Sequence, residues 1–188
     1  MNARHIVRCL ARRVRVLVAL GLLLGASGSV VVHAQGTSGD AAAKAKFTIT
    51  FARFVQWPSG VFAGEAAPLR LCVLHNSAAV GAAFASRDGE LVAGHPVSVI
   101  PNPGARGGCD LLFVDASAAR AGAAALAQAA DAPVLTLGSV DGFLSQGGMV
   151  ELVNVNDALR FDVSLKAVRS AQLALSSQVL KLARQVRD

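Results

Sequence analysis

Apolar positions in this chain come in short blocks whose period changes along the sequence. Phe47, Phe51, Phe54 and Val55 fall at i, i+4, i+7 and i+8, one face of a helix expected from about Ala41 to Gln56. Trp57-Pro58 ends it, because the residue before a proline avoids the α region. Leu69 to Leu74 reads as a buried strand, Ala78 to Arg87 as a short helix, and His95 to Ile100 as a strand in which Val97 and Val99 alternate with Ser98. A Pro- and Gly-rich loop leads to Leu111–Val114, an apolar run suited to a central strand. Ser117 is the expected N-cap of an Ala-rich helix reaching Ala130, and Asp131-Ala132-Pro133 stops it. Val134 to Leu137 reads as a further strand.

The C-terminal part splits into a hairpin and a stripe. Met149–Val155 and Ala158–Leu165 are two strands around Asn156-Asp157, with Leu159, Phe161, Val163 and Leu165 facing one way. Val168, Leu175, Val179, Leu182 and Val186 then recur at helical spacing, which predicts one helix from about Lys166 to Val186. Lys181, Arg184 and Arg187 suit the C-terminal end of such a helix. The whole order predicts a single α/β domain. Its mixed central sheet carries helices on both faces and ends in a C-terminal hairpin and a long terminal helix.

The first 34 residues change the reading of composition. Arg4, Arg8, Arg12, Arg13 and Arg15 precede an apolar run from Val16 to Leu24, and Val32-His33-Ala34 offers small residues at −3 and −1. This is the pattern of a secretory signal peptide cleaved after Ala34, which places the chain in a bacterial periplasm. A retained anchor is the alternative, but the strongly apolar stretch is about half of the roughly 20 residues that span a bilayer. Of 18 basic residues five lie in this segment, so 18 − 5 = 13 face 12 acidic ones in the remaining 188 − 34 = 154 residues. A net charge near +1 leaves no basic footprint for nucleic acid. Residues 35–42 read as a flexible polar lead-in, and residues 43–188 as the folded domain. Cys9 leaves with the signal. In an oxidising compartment the remaining Cys72 and Cys109 are expected to form a disulfide, against the alternative of two buried thiols.

Catalytic groupings are missing. No G-x-S-x-G elbow, P-loop or G-x-G-x-x-G following a strand occurs. No catalytic, cofactor-binding or metal-binding residue is assigned and no cofactor is expected. Cys72-x-x-His75 has metal-like spacing, but residues three apart on a strand point to opposite faces. His75 is expected at a strand end, exposed or hydrogen-bonded. A triad of His95, Asp115 and a serine has no support from spacing. Asp115 and Asp141 follow apolar strands, where α/β proteins place binding residues, although capping a helix or turn is the commoner role. Trp57, the sole tryptophan, either closes an edge of the core or forms part of a partner surface. Ser176-Ser177 resembles no catalytic pair.

These landmarks together resemble the YfiR-like proteins of bacterial periplasms. The resemblance is carried by Phe51-Ala-Arg-Phe-Val-Gln-Trp-Pro58, Leu69-Arg-Leu-Cys-Val-Leu74 and Cys109-Asp-Leu-Leu-Phe-Val114. It continues through Pro133-Val-Leu-Thr-Leu-Gly138, Gly142-Phe143, Gly147-Gly148-Met149-Val150, Leu159-Arg-Phe161, Leu173-Ala-Leu-Ser-Ser177 and Leu180-Lys-Leu-Ala183. It implies a regulator without catalysis that binds the periplasmic domain of an inner-membrane, YfiN-like diguanylate cyclase. That binding would hold the cyclase inactive and lower cyclic di-GMP and biofilm output. It also implies homodimers and sequestration by an OmpA-like outer-membrane lipoprotein. Cys72 and Cys109 stand where the family's structural disulfide is expected. The second cysteine pair of some members, near the Gly-Gly-Met segment, has no counterpart here. The reading from another class is a periplasmic small-molecule binding module, motivated by polar groups past strand ends.

Overall fold

The computed structural model describes residues 35–64, 66–104 and 108–188. The expected signal peptide and its cleavage site lie outside the described residues. Helix α1 runs Gln35–Ala52, so the polar stretch expected as a flexible lead-in forms its first turns. The backbone tightens at its end, where the Arg53 N–H donates to the Thr50 carbonyl and the Phe54 N–H to the Phe51 carbonyl. The helix thus ends four residues before the expected Gln56, and Val55–Gln56 extends instead as strand β1. An extended approach to Trp57-Pro58 is what proline sterics demand. The buried stripe of α1 is Ala41, Ala45, Thr48, Ile49 and Ala52, with Phe51 beside it. These small side chains let α1 pack closely. Phe47 and Phe54 are only partly buried against the same core.

Strand β2 (Leu69–Leu74) and helix α2 (Ala78–Ala85) follow. Ser77 caps α2, accepting from the Val80 N–H. Strands β3 (Leu91–Val92) and β4 (His95–Pro101) form a short antiparallel pair, of which β3 is two residues long, too short for alternation to reveal. Strand β5 is Leu111–Val114, and helix α3 is Ala119–Ala129 after a 3-10 turn at Ala116–Ala118. Asp115, not Ser117, caps that turn, because the Asp115 carboxylate accepts the Ser117 N–H. Strand β6 is Leu135–Gly138, and the hairpin consists of β7 (Val150–Val155) and β8 (Ala158–Ser164). Asn156 and Asp157 both take positive φ, the conformation of the tight turn their identity predicts.

The expected terminal helix does not form. Helix α4 is only Leu165–Ser170; β9 (Ala174–Leu175), α5 (Ser177–Leu180) and β10 (Gln185–Arg187) replace the remainder. Gln172 turns left-handed with φ of 58°, and β9 pairs with β1. Ser176 caps α5 by accepting the Gln178 N–H. Arg184 reaches the Asp162 carboxylate with two nitrogens, and its backbone N–H donates to the Phe161 carbonyl. That contact fixes β10 as a parallel edge strand on β8. The helical stripe required Leu182 and Val186 to be buried, yet they are 71% and 43% exposed, while off-stripe Ala171 and Leu173 are buried.

The main sheet orders its strands β10-β8-β7-β6-β5-β2-β4-β3. Strands β4, β2, β5, β6 and β7 run parallel; β3 runs against β4, and β8 with its parallel partner β10 runs against β7. Alternation divides the interior in two. Leu69, Leu71, Val73, Leu111, Phe113, Leu135 and Leu137 pack with α1 and α2 on one face. Cys72, Leu74, Leu112 and Val114 pack with Leu126 of α3 and with Phe143 on the other. The expected mixed α/β fold with helices on both faces is therefore observed, except for its terminal helix.

Candidate functional site

The chain leaves β2 toward α2 on one face and leaves β5 toward α3 on the other, so a switch point lies between the C-terminal ends of β2 and β5. Open α/β sheets bind ligands in the crevice such a divergence creates. Here the position is occupied by the protein itself. The Asp115 carboxylate, 4% exposed, accepts from the hydroxyls of Ser117 and Ser139 and lies 3.5 Å from Lys44 Nζ of α1. Lys44 also pairs with Asp40 at 2.7 Å, and Asn154 Nδ2 donates to Asp40. From the β2 side, the Asn76 N–H donates to Ser117 Oγ and its side-chain amide to the Ser117 carbonyl. Burial alone would raise the Asp115 pKa. The hydrogen bonds from Ser117, the Lys44 ammonium and the Ser139 hydroxyl outweigh it and hold the carboxyl below the usual range. An ionised carboxylate with its oxygens satisfied ties α1 to three strand ends; it has no free lone pair positioned as a general base. Capping, the commoner role for such an aspartate, is what Asp115 performs. Asp141 is exposed in the turn after β6 and only its carbonyl takes part, accepting from Gln146.

The opposite edge holds the disulfide and the tryptophan. Cys72 and Cys109 are bonded, with Cα atoms 5.7 Å apart, as expected. Next to it, Asp110 is 3% exposed and receives Arg70 through the backbone N–H, Nε and Nη2 at 2.8–3.0 Å. These hydrogen bonds raise the Arg70 pKa against the opposing effect of burial. Trp57 Nε1 donates to the Asp110 carbonyl at 3.3 Å, and the Trp57 ring meets Phe62 edge-on at 5.8 Å. Phe62 in turn stacks on His95 with ring centroids 4.0 Å apart, and His95 Nδ1 lies 2.8 Å from the Ala67 carbonyl. Trp57 is thus half-buried, anchored through its N–H, continuous with Phe62 and His95, and linked through Asp110 to the 44%-exposed Arg70 side chain. Phe62 and Arg70 carried no signal as surface residues in the sequence; the fold alone brings Phe62 beside Trp57 and joins Arg70 to it through Asp110.

Two other combinations are separated. His95 opens β4 and Asp115 follows β5, so the paper triad places its members at opposite edges of a parallel sheet. Cys72 faces the α3 side while the His75 ring lies against Gly81 of α2, so that pair converges on no metal. Among the described residues no group of three His, Cys, Asp or Glu side chains could hold a metal ion. Ser176 and Ser177 begin α5, where Ser176 serves as cap.

A third landmark is the Gly142–Met149 segment. Glu151 of β7 accepts the N–H groups of Gly142 and Leu144, fixing a 3-10 turn at Phe143–Gln146. The Phe143 ring is clamped between Gly138 and Gly148, where added Cβ atoms would lie 2.6 Å and 2.2 Å from it. The family model described as YfiR/HmsC-like matches residues 41–184, from α1 through this clamp to the Arg184 that pins β10. The chain belongs to the YfiR/HmsC-like family. Its periplasmic members are generally regulatory rather than catalytic, which makes this chain a member of a family tied to diguanylate cyclase signalling. None of the curated proteins matches the chain. Among the described residues no helix is long and apolar enough to cross a membrane. In this YfiR/HmsC-like chain three segments within the matched range have clear structural roles: the Trp57 segment lies at the disulfide edge, the two cysteines join β2 to the start of β5, and the glycine pair forms part of the Phe143 clamp.

Proposed function

We propose that this chain is exported, loses residues 1–34, and represses an inner-membrane diguanylate cyclase by binding its periplasmic domain. Membership of the YfiR/HmsC-like family over residues 41–184 carries the reading. Supporting it, the polar groups at the sheet's switch point are consumed in holding the fold, which suits a protein that acts by binding. The contact surface in this reading is the edge where Trp57 stands against Phe62, a half-buried tryptophan being a residue type enriched at binding hot spots.

Crosslinking in cells, followed by recovery of the tagged protein and mass spectrometry, tests the pairing. Recovery of a membrane cyclase, and a rise in cyclic di-GMP on deletion of this chain, are the expected results. Trp57→Ala should abolish recovery of the cyclase while the protein keeps its disulfide and its cooperative melting. Unchanged cyclic di-GMP after deletion in expressing cells would sink the repressor reading. The same crosslinks test homodimerisation and capture by an OmpA-like lipoprotein, which belong to this proposal as secondary interactions.

A further inference from the structure

A cleft of about 320 Å³ lies where the C-terminal end of α3, the 3-10 turn at Phe143–Gln146 and helix α4 come together. The volume is at the lower end of the roughly 300–1,000 Å³ typical of small-molecule sites, so the cleft suits a small ligand. Four polar side chains line it, Asp131, Ser145, Lys166 and Ser170, and all four are exposed. Ala129, Ala130 and Ala167 add accessible apolar surface beside them.

Local structure uses none of those four side chains. The turn after α3 is closed by the backbone, with the Ala132 N–H donating to the Ala129 carbonyl. The 3-10 turn is held by Glu151 and by the Ser145 N–H on the Gly142 carbonyl, which leaves the Ser145 hydroxyl unspent. Helix α4 is capped by the Ser164 hydroxyl, which accepts the Ala167 N–H. Among the described residues, none of the four side chains makes a hydrogen bond or an ion pair. Asp131 and Lys166 therefore line one cleft, from different elements, without pairing with each other. Asp131 also follows the C-terminal end of the 11-residue α3, where the helix dipole favours a cation. One end of the cleft lining is thus suited to a positive group, and Lys166 supplies the charge for a negative one.

We infer that this cleft binds a short peptide with free ends, of dipeptide size, its ammonium on Asp131 and its carboxylate on Lys166. A carboxylate accepts only and an ammonium donates only, so the two ends are read by opposite partners. The peptide group between them both donates and accepts, which the Ser145 and Ser170 hydroxyls match, and small side chains lie against the alanines. The inference stands apart from the cyclase reading, whose contact surface is the Trp57 edge, and its test needs no cyclase.

The test uses three probes on the protein as cells process it: alanyl-alanine, its N-acetyl form without the ammonium, and its C-terminal amide without the carboxylate. Calorimetry and NMR of the Asp131, Ser145 and Ser170 amides follow binding. Alanyl-alanine is expected to bind saturably, one to one, with shifts at all three amides. Each blocked form should bind about 5–10-fold more weakly, the loss of one charge-assisted contact at a partly open site. Asp131→Asn should weaken alanyl-alanine by a similar factor and leave the N-acetyl form unchanged. Lys166→Gln should weaken alanyl-alanine and leave the amide unchanged. Ser170→Phe, which fills the cleft, should remove binding of all three while the melting transition stays cooperative. Absence of saturable binding, equal binding of free and blocked probes, or alanyl-alanine binding that survives Ser170→Phe would each overturn the inference.

Discussion

Reducing the Cys72–Cys109 bond should cost this domain about 4 kcal/mol. The cysteines are 37 positions apart, and the segment between them contains α2, β3 and β4. Closing a loop of that length removes ~13 cal/mol/K of entropy from the unfolded chain, which at 25 °C is ~4 kcal/mol. For a domain of this size each kcal/mol moves the melting temperature by about 2–4 °C, so reduction should lower it by roughly 8–16 °C. Reduction leaves both sulfur atoms in place and isolates the crosslink. The Cys72→Ala/Cys109→Ala double variant adds a packing defect, because Cys72 is fully buried beside Leu74 and Leu112. Loss of those buried atoms should bring the total to about 5 kcal/mol. Urea unfolding with and without reductant measures both quantities. The slope should rise on reduction, because the uncrosslinked chain exposes more surface when it unfolds. If thiol titration confirms two free cysteines and the midpoint has not moved, the loop-entropy argument is wrong for this fold.

Three further predictions follow from single positions. Gln172 holds φ of 58°, so Gln172→Gly should stabilise the protein by up to about 1 kcal/mol; a continuous helix through that position would instead be destabilised by a similar amount, and urea midpoints distinguish the signs. Gly148→Ala places a Cβ 2.8 Å from the Phe143 carbonyl as well as against its ring, and should cost about 1–3 kcal/mol in calorimetry, whereas Gly64→Ala, which meets nothing within 4 Å, should be near neutral. Asp115 has a lowered folded pKa, so its contribution is complete above the ordinary aspartate value of about 3.9 and is lost as pH falls through the lower folded value. Asp115→Asn should therefore destabilise at pH 7 by about 1–3 kcal/mol and flatten the loss of stability below about pH 4; an unchanged acid limb would refute the assignment.

Local pattern was enough where the period of a segment and its final environment agree. Leu69–Leu74 and Leu111–Val114 are strands to the residue, because an apolar run with both faces covered needs no information from elsewhere. Asn156-Asp157 turned the hairpin through its own backbone preferences. The cysteine pair and the YfiR-like landmarks were legible too, since bonding chemistry and short motifs reside in residue identity. Segments whose conformation depends on distant partners were not. Val168 to Val186 has a helical stripe, yet β1 captures Ala174–Leu175 and Asp162 captures Arg184, interactions that reach across the fold and outweigh local periodicity. The same holds for the sites. The sequence drew attention to Trp57, Asp115 and His75 one by one. Only the tertiary structure set Phe62 beside Trp57, surrounded Asp115 with Lys44, Ser117 and Ser139, and left His75 Nδ1 buried without a partner, because burial and hydrogen-bond satisfaction are properties of the assembled neighbours rather than of any one residue.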